Sequence, residues 1–262
     1  MSKHHPPKLA DADLSEKLGK KDYFDKLIDL QAKLARIQQA FLFHGTKGVI
    51  VFEGWDASGK GGAIRRITEK LDPRGVSVFP VAKPAKEEQD KHFLFRFWQH
   101  VPAPGTLKIF DRSHYGRVLV ERVDELASQE AWQRSYTEIN EFERTLSDNG
   151  VRIIKLFMHI SSDEQRQRFK ERLHNPFKRW KLTEEDLHNR QQRSAYINAV
   201  NDMFSKTDTE YAPWRIINGE YKWQARIDVL ETVIAALSEG VDITPPPLDE
   251  KLIELASAQL DL

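Results

Sequence analysis

The sequence predicts an α/β fold, in which five parallel strands form a sheet with helices on both faces. The first of five short runs rich in β-branched and aromatic residues, Gly48–Phe52, is continuously apolar, which is typical of a parallel strand covered on both sides. Segments with apolar residues at helical spacing separate most of these runs, and this alternation indicates βαβ units. The 262 residues are 40% hydrophobic and 31% charged, so the chain can form a large core with an ordinary globular composition.

The predicted elements follow one another in a single domain, 13–238, between two tails. Residues 1–12 are polar and contain proline, so a loose N-terminus is expected. Residues 239–262 form a tail, with Pro245–Pro247 in its linker and a terminal helix that packs on the outside or on a partner subunit. Apolar spacing over Leu14–Phe43 predicts one long amphipathic helix or two. Strands are predicted at Gly48–Phe52, Val76–Val81, Leu107–Phe110, Ile153–Ile160 and Trp214–Ile217. Further helices are predicted at Ala63–Leu71, Glu130–Leu146, Asp163–Leu173, Glu184–Phe204 and Trp223–Leu237.

Composition and charge exclude several classes of protein. The 40 basic and 40 acidic side chains give a net charge of zero, which argues against a protein that coats nucleic acid. Because the chain has no cysteine, it has no disulfide framework, thiolate nucleophile or zinc–thiolate site. No apolar run approaches the roughly 20 residues that span a bilayer, and the N-terminus lacks a signal-peptide pattern. We therefore expect a cytoplasmic protein without a membrane or nucleic-acid partner.

The most informative segment lies between the first predicted strand and the helix after it. It reads Gly-Trp-Asp-Ala-Ser-Gly-Lys-Gly over residues 54–61, which fits the phosphate-loop pattern G-x-x-x-x-G-K. In such loops, backbone N–H groups and the helix N-terminus bind phosphate oxygens, and the lysine, here Lys60, reaches the outer phosphates. The alternative is a plain glycine-rich turn, but a turn does not need a lysine at this place. The candidate phosphate-binding residues are Gly54, Ala57, Ser58, Gly59, Lys60, Gly61 and Gly62.

The loop lacks the hydroxyl that usually binds magnesium in phosphate-loop enzymes, because Gly61 stands where serine or threonine is typical. Another residue must then hold the metal, and Asp56 inside the loop is the obvious candidate. The alternative is an aspartate that caps the loop by bonding its own backbone. A carboxylate here would repel bound phosphate unless a metal intervened, so we favour Asp56 as a ligand of Mg²⁺ or of its water.

A second carboxylate, Asp111, ends the third predicted strand. In a parallel sheet the carboxyl end of that strand lies beside the phosphate loop, so Asp111 is presented like a Walker B aspartate and can hold Mg²⁺. Arg112 and Arg117 follow, and we expect them to clamp the reacting phosphates in the same cleft. The alternative is that they are surface arginines paired with Glu121 or Asp124, which fits Arg117 better.

A basic segment follows the fourth strand and contains one acid, Glu171. Asn175–Pro176 predicts the end of one helix, and Thr183 with Asp186 three residues later predicts the start of the next. A basic helix–turn–helix at this place resembles the lid of nucleoside monophosphate kinases, which closes over phosphates. Charge runs are also common on faces that are merely solvated. The basic residues are Arg166, Arg168, Lys170, Arg172, Lys178, Arg179 and Lys181.

These motifs resemble the family-2 polyphosphate kinases over roughly residues 20–237. The resemblance rests on Glu53–Gly62, which contains the phosphate loop, on Phe110–Arg117, and on the lid run over 168–186. It implies a P-loop kinase fold with a helical lid over about 163–193. Glycine after the loop lysine and aspartate within the loop are usual in that family.

The resemblance implies Mg²⁺-dependent transfer of a terminal phosphoryl group between inorganic polyphosphate and a nucleoside mono- or diphosphate. It assigns phosphate binding to Lys60 and the loop amides, and Mg²⁺ or acceptor orientation to Asp56 and Asp111. It also implies that Arg112 and Arg117 clamp the reacting phosphates. Contacts to the polyphosphate chain are expected from Arg65, Arg66, Arg172, Lys178, Arg179 and Lys181.

The segment Ser113–Arg122 looks closer to the AMP-phosphorylating branch of the family, so AMP is the favoured acceptor and ADP remains open. Members of the family are commonly dimers or tetramers, and we expect a homo-oligomer. Two other functions stay in play: an ATP-dependent small-molecule or nucleotide kinase on the same fold, and a non-catalytic phosphate-binding regulator. The wide spread of basic residues disfavours the first, and the intact Asp56, Lys60 and Asp111 disfavour the second.

Overall fold

Five parallel strands form one sheet in the order β2-β3-β1-β4-β5, as the alternation of strands and helices predicts. The computed structural model describes residues 5–244 and 248–260. The strands are β1 Lys47–Gly54, β2 Val76–Pro80, β3 Leu107–Asp111, β4 Val151–His159 and β5 Trp214–Asn218. The central strand β1 pairs with β3 on one side and β4 on the other. The carboxyl ends of β1 and β3 therefore meet at one edge, which brings the two predicted site segments together.

Helices cover both faces of the sheet. They are α1 Lys20–His44, α2 Lys60–Thr68, α3 Lys86–Gln89, α4 Phe95–Trp98, α5 Val120–Val123, α6 Gln129–Asp148, α7 Ser162–His174, α8 Glu184–Gln191, α9 Arg193–Thr207, α10 Lys222–Ser238 and α11 Glu250–Leu260. Short 3₁₀ helices lie at Leu9–Asp11, His114–Val118 and Arg179–Lys181. Over the described ranges, none of the helices combines the length and hydrophobicity needed to cross a bilayer.

Alternate residues of β1 enter two separate cores, one on each face of the sheet. Val49 and Val51 pack on the side of α6 and α9, and Ile50 and Phe52 pack on the side of α1, α2 and α10. All four side chains are at most 3% exposed, and burial of one such side chain is worth about 1.5–3 kcal/mol. The strand that carries the phosphate loop is therefore held from both sides.

The largest differences between the predicted and the observed helices lie in three places. Helix α1 begins at Lys20 rather than near Leu14. Helix α2 begins at Lys60, earlier than the predicted start, because the phosphate loop leads directly into its first turn. The single helix predicted over Glu184–Phe204 is two helices, α8 and α9, which are separated at Gln192.

The predicted start of α8 is confirmed. The Thr183 Oγ1 accepts a hydrogen bond from the backbone N–H of Asp186, and an Asp186 carboxylate oxygen accepts one from the N–H of Thr183, as expected for a capping box. The predicted linker at Pro245–Pro247 and residues 1–4 of the predicted loose N-terminus lie outside the described residues. The terminal helix α11 has no buried residue, so its packing on this domain or on a partner stays a prediction.

Candidate active site

The phosphate loop connects β1 to α2 through backbone conformations that restrict the residue type. Gly54 has a φ of 135°, and a Cβ atom there would lie 2.4 Å from the carbonyl oxygen of Met158, so only glycine fits. Gly59 has a φ of 110° and immediately precedes α2. Ala57 has a φ of 62°, which is strained for a residue with a Cβ atom. The loop is therefore held in a specific curve rather than in a generic turn.

This curve leaves backbone N–H groups of the loop unpaired at the start of a helix. Among residues 54–62, all of which the structure describes, the N–H groups without a backbone acceptor are those of Asp56, Ala57, Gly59, Lys60 and Gly61. Of the other predicted phosphate-binding residues, Ser58 donates its N–H to the carbonyl of Trp55, and Gly62 donates to that of Gly59. Unpaired N–H groups at a helix N-terminus form a site for anions.

The side chain of Lys60 lies across the phosphate loop. Its Nζ donates hydrogen bonds to the carbonyl oxygens of Gly54, at 2.7 Å, and Trp55, at 3.2 Å. Burial lowers the pKa of Lys60, whereas the nearby carboxylates of Asp56 and Asp111 act in the opposite direction. The ammonium group thus interacts electrostatically with both of the acids that we expect to hold a metal.

Asp56 is held by side chains from three other parts of the fold. Its Oδ1 accepts a hydrogen bond from Nη2 of Arg112, and its Oδ2 accepts one from Nδ2 of Asn189 on α8, both at 2.9 Å. Its backbone carbonyl accepts a third from Nε2 of Gln165 on α7. No described N–H of the loop donates to the Asp56 carboxylate, which disfavours the loop-capping alternative.

Asp111 and Arg112 stand at the end of β3. The N–H of Arg112 donates to the carbonyl of Phe52 in β1, and its φ of 63° turns the chain out of the sheet. Its guanidinium lies between Asp56 and Glu185, whose Oε1 is 3.8 Å from Nη1. Among the described residues, no hydrogen bond or salt bridge engages the carboxylate of Asp111.

Glu53 begins the motif that contains the phosphate loop, but no role for it is predicted from the sequence. It precedes the loop on β1, is 5% exposed, and accepts a hydrogen bond from Oγ of Ser113 at 2.7 Å. Burial raises the pKa of Glu53, although the hydrogen bond from Ser113 and the charges of Lys60 and Arg112 oppose the rise. The one sequence feature that could have indicated a role for Glu53 is its carboxylate in an otherwise apolar strand. Its contact with Ser113 ties the end of β1 to the segment that follows Arg112.

The residues at this edge of the sheet fit a divalent metal ion. Asp56 and Asp111 supply carboxylate oxygens, the ligands that Mg²⁺ prefers. Because Mg²⁺ keeps several waters and binds substrate phosphates, one or two protein carboxylates are enough to hold it. Within the described ranges, there is no group of three or more histidine, aspartate or glutamate side chains in a metal-binding arrangement.

Arg117 does not join Arg112 in this arrangement. Its Nη1 lies 2.6 Å from Oε2 of Glu121, and its guanidinium lies 4.8 Å above the ring centre of Phe93. This is the Glu121 pair of the alternative interpretation. The role of Arg117 as a phosphate clamp stays a prediction.

A cavity of about 90 Å³ lies between the phosphate loop and helices α8 and α9. Its polar lining comes from Glu53, Asp56, Arg112, Gln165, Glu185 and Asn189. Its apolar lining comes from Trp55, Leu119, Val120, Phe157, Tyr196 and Val200. A mostly apolar recess with a few polar groups suits a small molecule that combines a ring with charged substituents.

Trp55 is fixed in the wall of this cavity. Its indole Nε1 donates to Nδ1 of His159 at 2.7 Å, and the guanidinium of Arg193 lies 4.1 Å above its ring. Burial lowers the pKa of His159 to about 4, and the charge of Arg193 acts in the same direction. His159 is therefore neutral near pH 7, as its Nδ1 must be to accept the hydrogen bond.

The predicted lid residues lie on α7 and in the segment that leads to α8. Arg172 donates hydrogen bonds to the carbonyl oxygen of Lys181 and to the carboxylate of Asp186. The Nζ of Lys178 lies 3.7 Å from a carboxylate oxygen of Glu171. These basic side chains are therefore already paired within the protein.

The other predicted chain-binding residues, except Lys181, are also paired. Arg65 and Arg66 on α2 both contact Glu69, and Nε of Arg179 donates to the carbonyl of Leu173. The Nζ of Lys181 lies 5.0 Å from the ring centre of Trp180, and no hydrogen bond or ion pair of this side chain is found among the described residues. Binding of polyphosphate by all of these residues stays a prediction.

A parallel sheet of this order, a phosphate loop after its central strand and an aspartate at the end of the neighbouring strand define a P-loop protein of the kinase type. A helical insertion after β4 carries its basic segment. Residues 17–243 match the family described as Polyphosphate kinase 2 (PPK2), and the chain belongs to this family. The predicted fold and family are both confirmed.

Curated relatives and a solved structure agree with this assignment. The chain is 45% identical to the polyphosphate:AMP phosphotransferase of Pseudomonas aeruginosa, over 87% of this chain and 46% of that protein. It is 40% identical to the AMP/ADP-polyphosphate phosphotransferase of Meiothermus ruber, over 90% and 89%. The fold matches the crystal structure of Polyphosphate Kinase 2 from Arthrobacter aurescens TC1 with a TM-score of 0.90 at 32% identity, over 96% and 93%. The chain spans about half the length of several curated relatives that it matches.

Proposed function

We propose that this chain transfers a phosphoryl group between inorganic polyphosphate and a nucleotide, with Mg²⁺ as its cofactor. AMP is the favoured acceptor and yields ADP, conversion of ADP to ATP is a second reaction, and both are reversible in principle. The observation that carries the proposal is the convergence of unpaired loop N–H groups with Asp56, Lys60, Asp111 and Arg112 at one edge of the sheet. The names of the relatives support these substrates, because they combine polyphosphate with AMP or ADP.

In the proposed reaction, an oxygen of the acceptor phosphate forms a bond to the terminal phosphorus of polyphosphate. The bond from that phosphorus to its bridging oxygen breaks, and the chain leaves one phosphate shorter. The loop N–H groups and Lys60 hold the phosphates of the donor, with Lys60 exchanging its two carbonyl partners for phosphate oxygens. An acceptor phosphate is already anionic near neutral pH, so no general base is needed. Catalysis then consists of positioning and charge neutralisation.

Arg112 supplies positive charge next to the reacting groups. One of its five N–H donors bonds Asp56 and its Nη1 lies 3.8 Å from Glu185, so donors remain for a phosphate oxygen. Asp56 and Asp111 would hold Mg²⁺, which would supply positive charge to the transferred phosphoryl group. The contact between Glu53 and Ser113 keeps the segment after Arg112 against the end of β1.

The cavity beside the phosphate loop is proposed to take the ring of the acceptor's base. Aromatic walls from Trp55 and Tyr196 suit a flat base, and the amide groups of Asn189 and Gln165 hold Asp56 at the edge of this cavity. This placement brings the acceptor phosphate close to Asp56, where the donor chain would end.

We further infer a homo-oligomer, a dimer or a tetramer. Helix α11 leaves Leu252, Ile253 and Leu255 between 46% and 58% exposed, and α1 leaves Ile28 67% exposed. Apolar side chains of this size on helix surfaces are candidates for contacts between subunits. A cytoplasmic location remains the expectation from the sequence.

The first test is a turnover assay with long-chain polyphosphate, Mg²⁺ and no ATP. AMP and ADP are supplied separately, and the products are resolved by anion exchange, with a matched reaction in excess EDTA. ADP formed from AMP, and lost with EDTA, supports the proposed reaction and acceptor. ATP formed only from ADP keeps the reaction and changes the acceptor. Turnover with ATP as donor but not with polyphosphate would overturn the proposal in favour of an ATP-dependent kinase.

A further inference from the structure

Arg168 belongs to the basic segment predicted as a lid, yet its side chain is only 4% exposed. Its Nη1 donates hydrogen bonds to the carbonyl oxygens of Ala57 and Ser58 in the phosphate loop, both at 2.9 Å. Its Nη2 donates to the carbonyl oxygens of Gly219, at 2.6 Å, and Glu220, at 3.0 Å, which follow β5. One guanidinium therefore joins the phosphate loop, α7 and the turn after β5.

No donor of Arg168 remains for a substrate. Its Nε donates to the carboxylate of Glu164, one turn earlier on α7. A guanidinium has five N–H donors, and these contacts use all five. Arg168 differs in this respect from Lys178, which lies 47% exposed beside an acid. A phosphate oxygen would have to displace one of its backbone partners to reach it.

The contacts of Arg168 constrain the direction of the loop N–H groups. In a trans peptide unit, the carbonyl and the following N–H point in opposite directions. Because Arg168 binds the carbonyls of Ala57 and Ser58, the N–H groups of Ser58 and Gly59 must face away from it. The N–H of Ser58 accordingly reaches the carbonyl of Trp55, and the N–H of Gly59 is one of the unpaired groups.

We propose that Arg168 is a positioning residue that sets the orientation of the phosphate-loop amides, and that it does not bind the polyphosphate chain itself. This inference rests on the proposed function, in which the loop amides bind the phosphates of the donor. Gln165, also on α7, likewise holds a loop carbonyl, because its Nε2 donates a hydrogen bond to the carbonyl of Asp56. The base of the predicted lid is thereby fixed to the loop, and residues further along α7 are left for the substrate.

The test compares Arg168→Ala with Arg168→Lys and with a matched control, Arg144→Ala. Arg144 also pairs with an acid four residues away, Asp148, but it is 56% exposed and on α6. Each variant is assayed with polyphosphate, Mg²⁺ and AMP, with and without millimolar guanidinium, and its fold is checked by circular dichroism. Hydrogen exchange of residues 55–60 is measured as a readout that does not depend on turnover.

For Arg168→Ala we expect kcat/KM for polyphosphate to fall about 100-fold, because small misplacements of binding groups have effects of that order. The KM for AMP should change less than about threefold, because Arg168 does not contact the acceptor. Added guanidinium should raise the rate of Arg168→Ala at least about tenfold, because it replaces the group that positions the loop for the transition state. Exchange of the loop amides should be faster than in Arg144→Ala. If Arg168 had a purely structural role, Arg168→Ala would lower the folded fraction, affect polyphosphate and AMP alike, and not respond to guanidinium.

Unchanged kcat/KM in Arg168→Ala, or a loss that guanidinium does not restore, would overturn the inference. If Arg168→Ala does not fold, Arg168→Lys decides, because lysine keeps the charge but has three donors on one atom and cannot span two loops. Full activity of folded Arg168→Lys would overturn the inference, and the same kinetic split would support it. If the wild-type chain forms no ADP or ATP, the proposed function fails, and the comparison of loop exchange alone decides the role of Arg168.

Discussion

Replacement of Lys155 by methionine should destabilise the fold strongly, because Lys155 belongs to a buried ionic network behind the active-site segment. The side chain, on β4, is fully buried. Its ammonium group donates to the Tyr115 hydroxyl at 2.8 Å, to Glu143 Oε2 at 2.8 Å and to the Thr207 carbonyl at 2.6 Å. Glu143 also bonds the Tyr115 hydroxyl and the ring of His114. The network therefore anchors the residues that follow Asp111–Arg112.

Methionine has nearly the shape of lysine, so Lys155→Met removes three hydrogen bonds and a charge with little change in volume. Breaking a buried pair by removing one partner costs about 3–5 kcal/mol, a large share of the roughly 5–15 kcal/mol by which folded domains are stable. The control is Lys47→Met, which removes a lysine with a single exposed hydrogen bond to the carbonyl of Asn149. The control should change the free energy of unfolding by less than about 1 kcal/mol.

The loss of unfolding free energy in Lys155→Met should depend on pH, and the pKa of Glu143 sets the direction of this dependence. Burial alone would raise the pKa of Glu143, but the charge of Lys155 and the hydrogen bond from His114 outweigh it and leave the pKa lowered. A lowered folded-state pKa means that the ionised carboxylate contributes stability above the pKa of unfolded glutamate, and that this stability is lost as the pH falls. Without Lys155 burial dominates, the pKa rises, and protonation at low pH relieves the unpaired charge.

Urea unfolding at pH 5 and pH 8 therefore tests both the magnitude and its cause. The difference between wild type and Lys155→Met should be larger at pH 8 than at pH 5. A difference below about 1 kcal/mol, or one that grows as the pH falls, would refute the account of a buried pair.

Three further predictions concern the site itself. Lys60→Ala should lower turnover at least about 100-fold with an unchanged circular dichroism spectrum, because a preorganised charge beside the phosphates is lost; a near-wild-type rate would misplace the phosphate site. Asp111→Asn should raise the Mg²⁺ concentration for half-maximal rate about tenfold or more, in a titration of the assay with Mg²⁺; an unchanged requirement would remove Asp111 from the metal site. Lys178→Ala with Lys181→Ala should weaken binding of polyphosphate more than binding of nucleotide in calorimetry, and an equal loss for both would show that the lid does not track the chain.

The phosphate loop and Asp111 could be predicted because both depend on residue types at fixed spacing after an apolar strand. The five strands were predictable for the same local reason, since each is a short apolar run between turn or helix signals. The break at Gln192 between α8 and α9 was not predictable, because the sequence has no glycine or proline there.

Residues whose partners are distant in the chain could not be identified from the sequence either. Asn189 holds Asp56 across 133 positions of the chain, and Arg168 holds Ala57 across 111. A basic residue in a basic segment looks the same whether it faces solvent or is buried against carbonyl groups. Only the folded chain separates Arg168 from its exposed neighbours.

The pairing of basic side chains inside the protein has a consequence for binding in salt solutions. Arg112 lies beside Asp56 and Glu185, and Lys178 lies beside Glu171. The carboxylates beside these cations offset part of the positive charge that a bound polyanion meets. Binding of a polyanion to unpaired cations would instead give a steeper dependence on ionic strength. Carboxylates of the protein thus act as counterions of its own basic side chains. Its affinity for a polyanion should fall less steeply with added salt than its number of basic residues suggests.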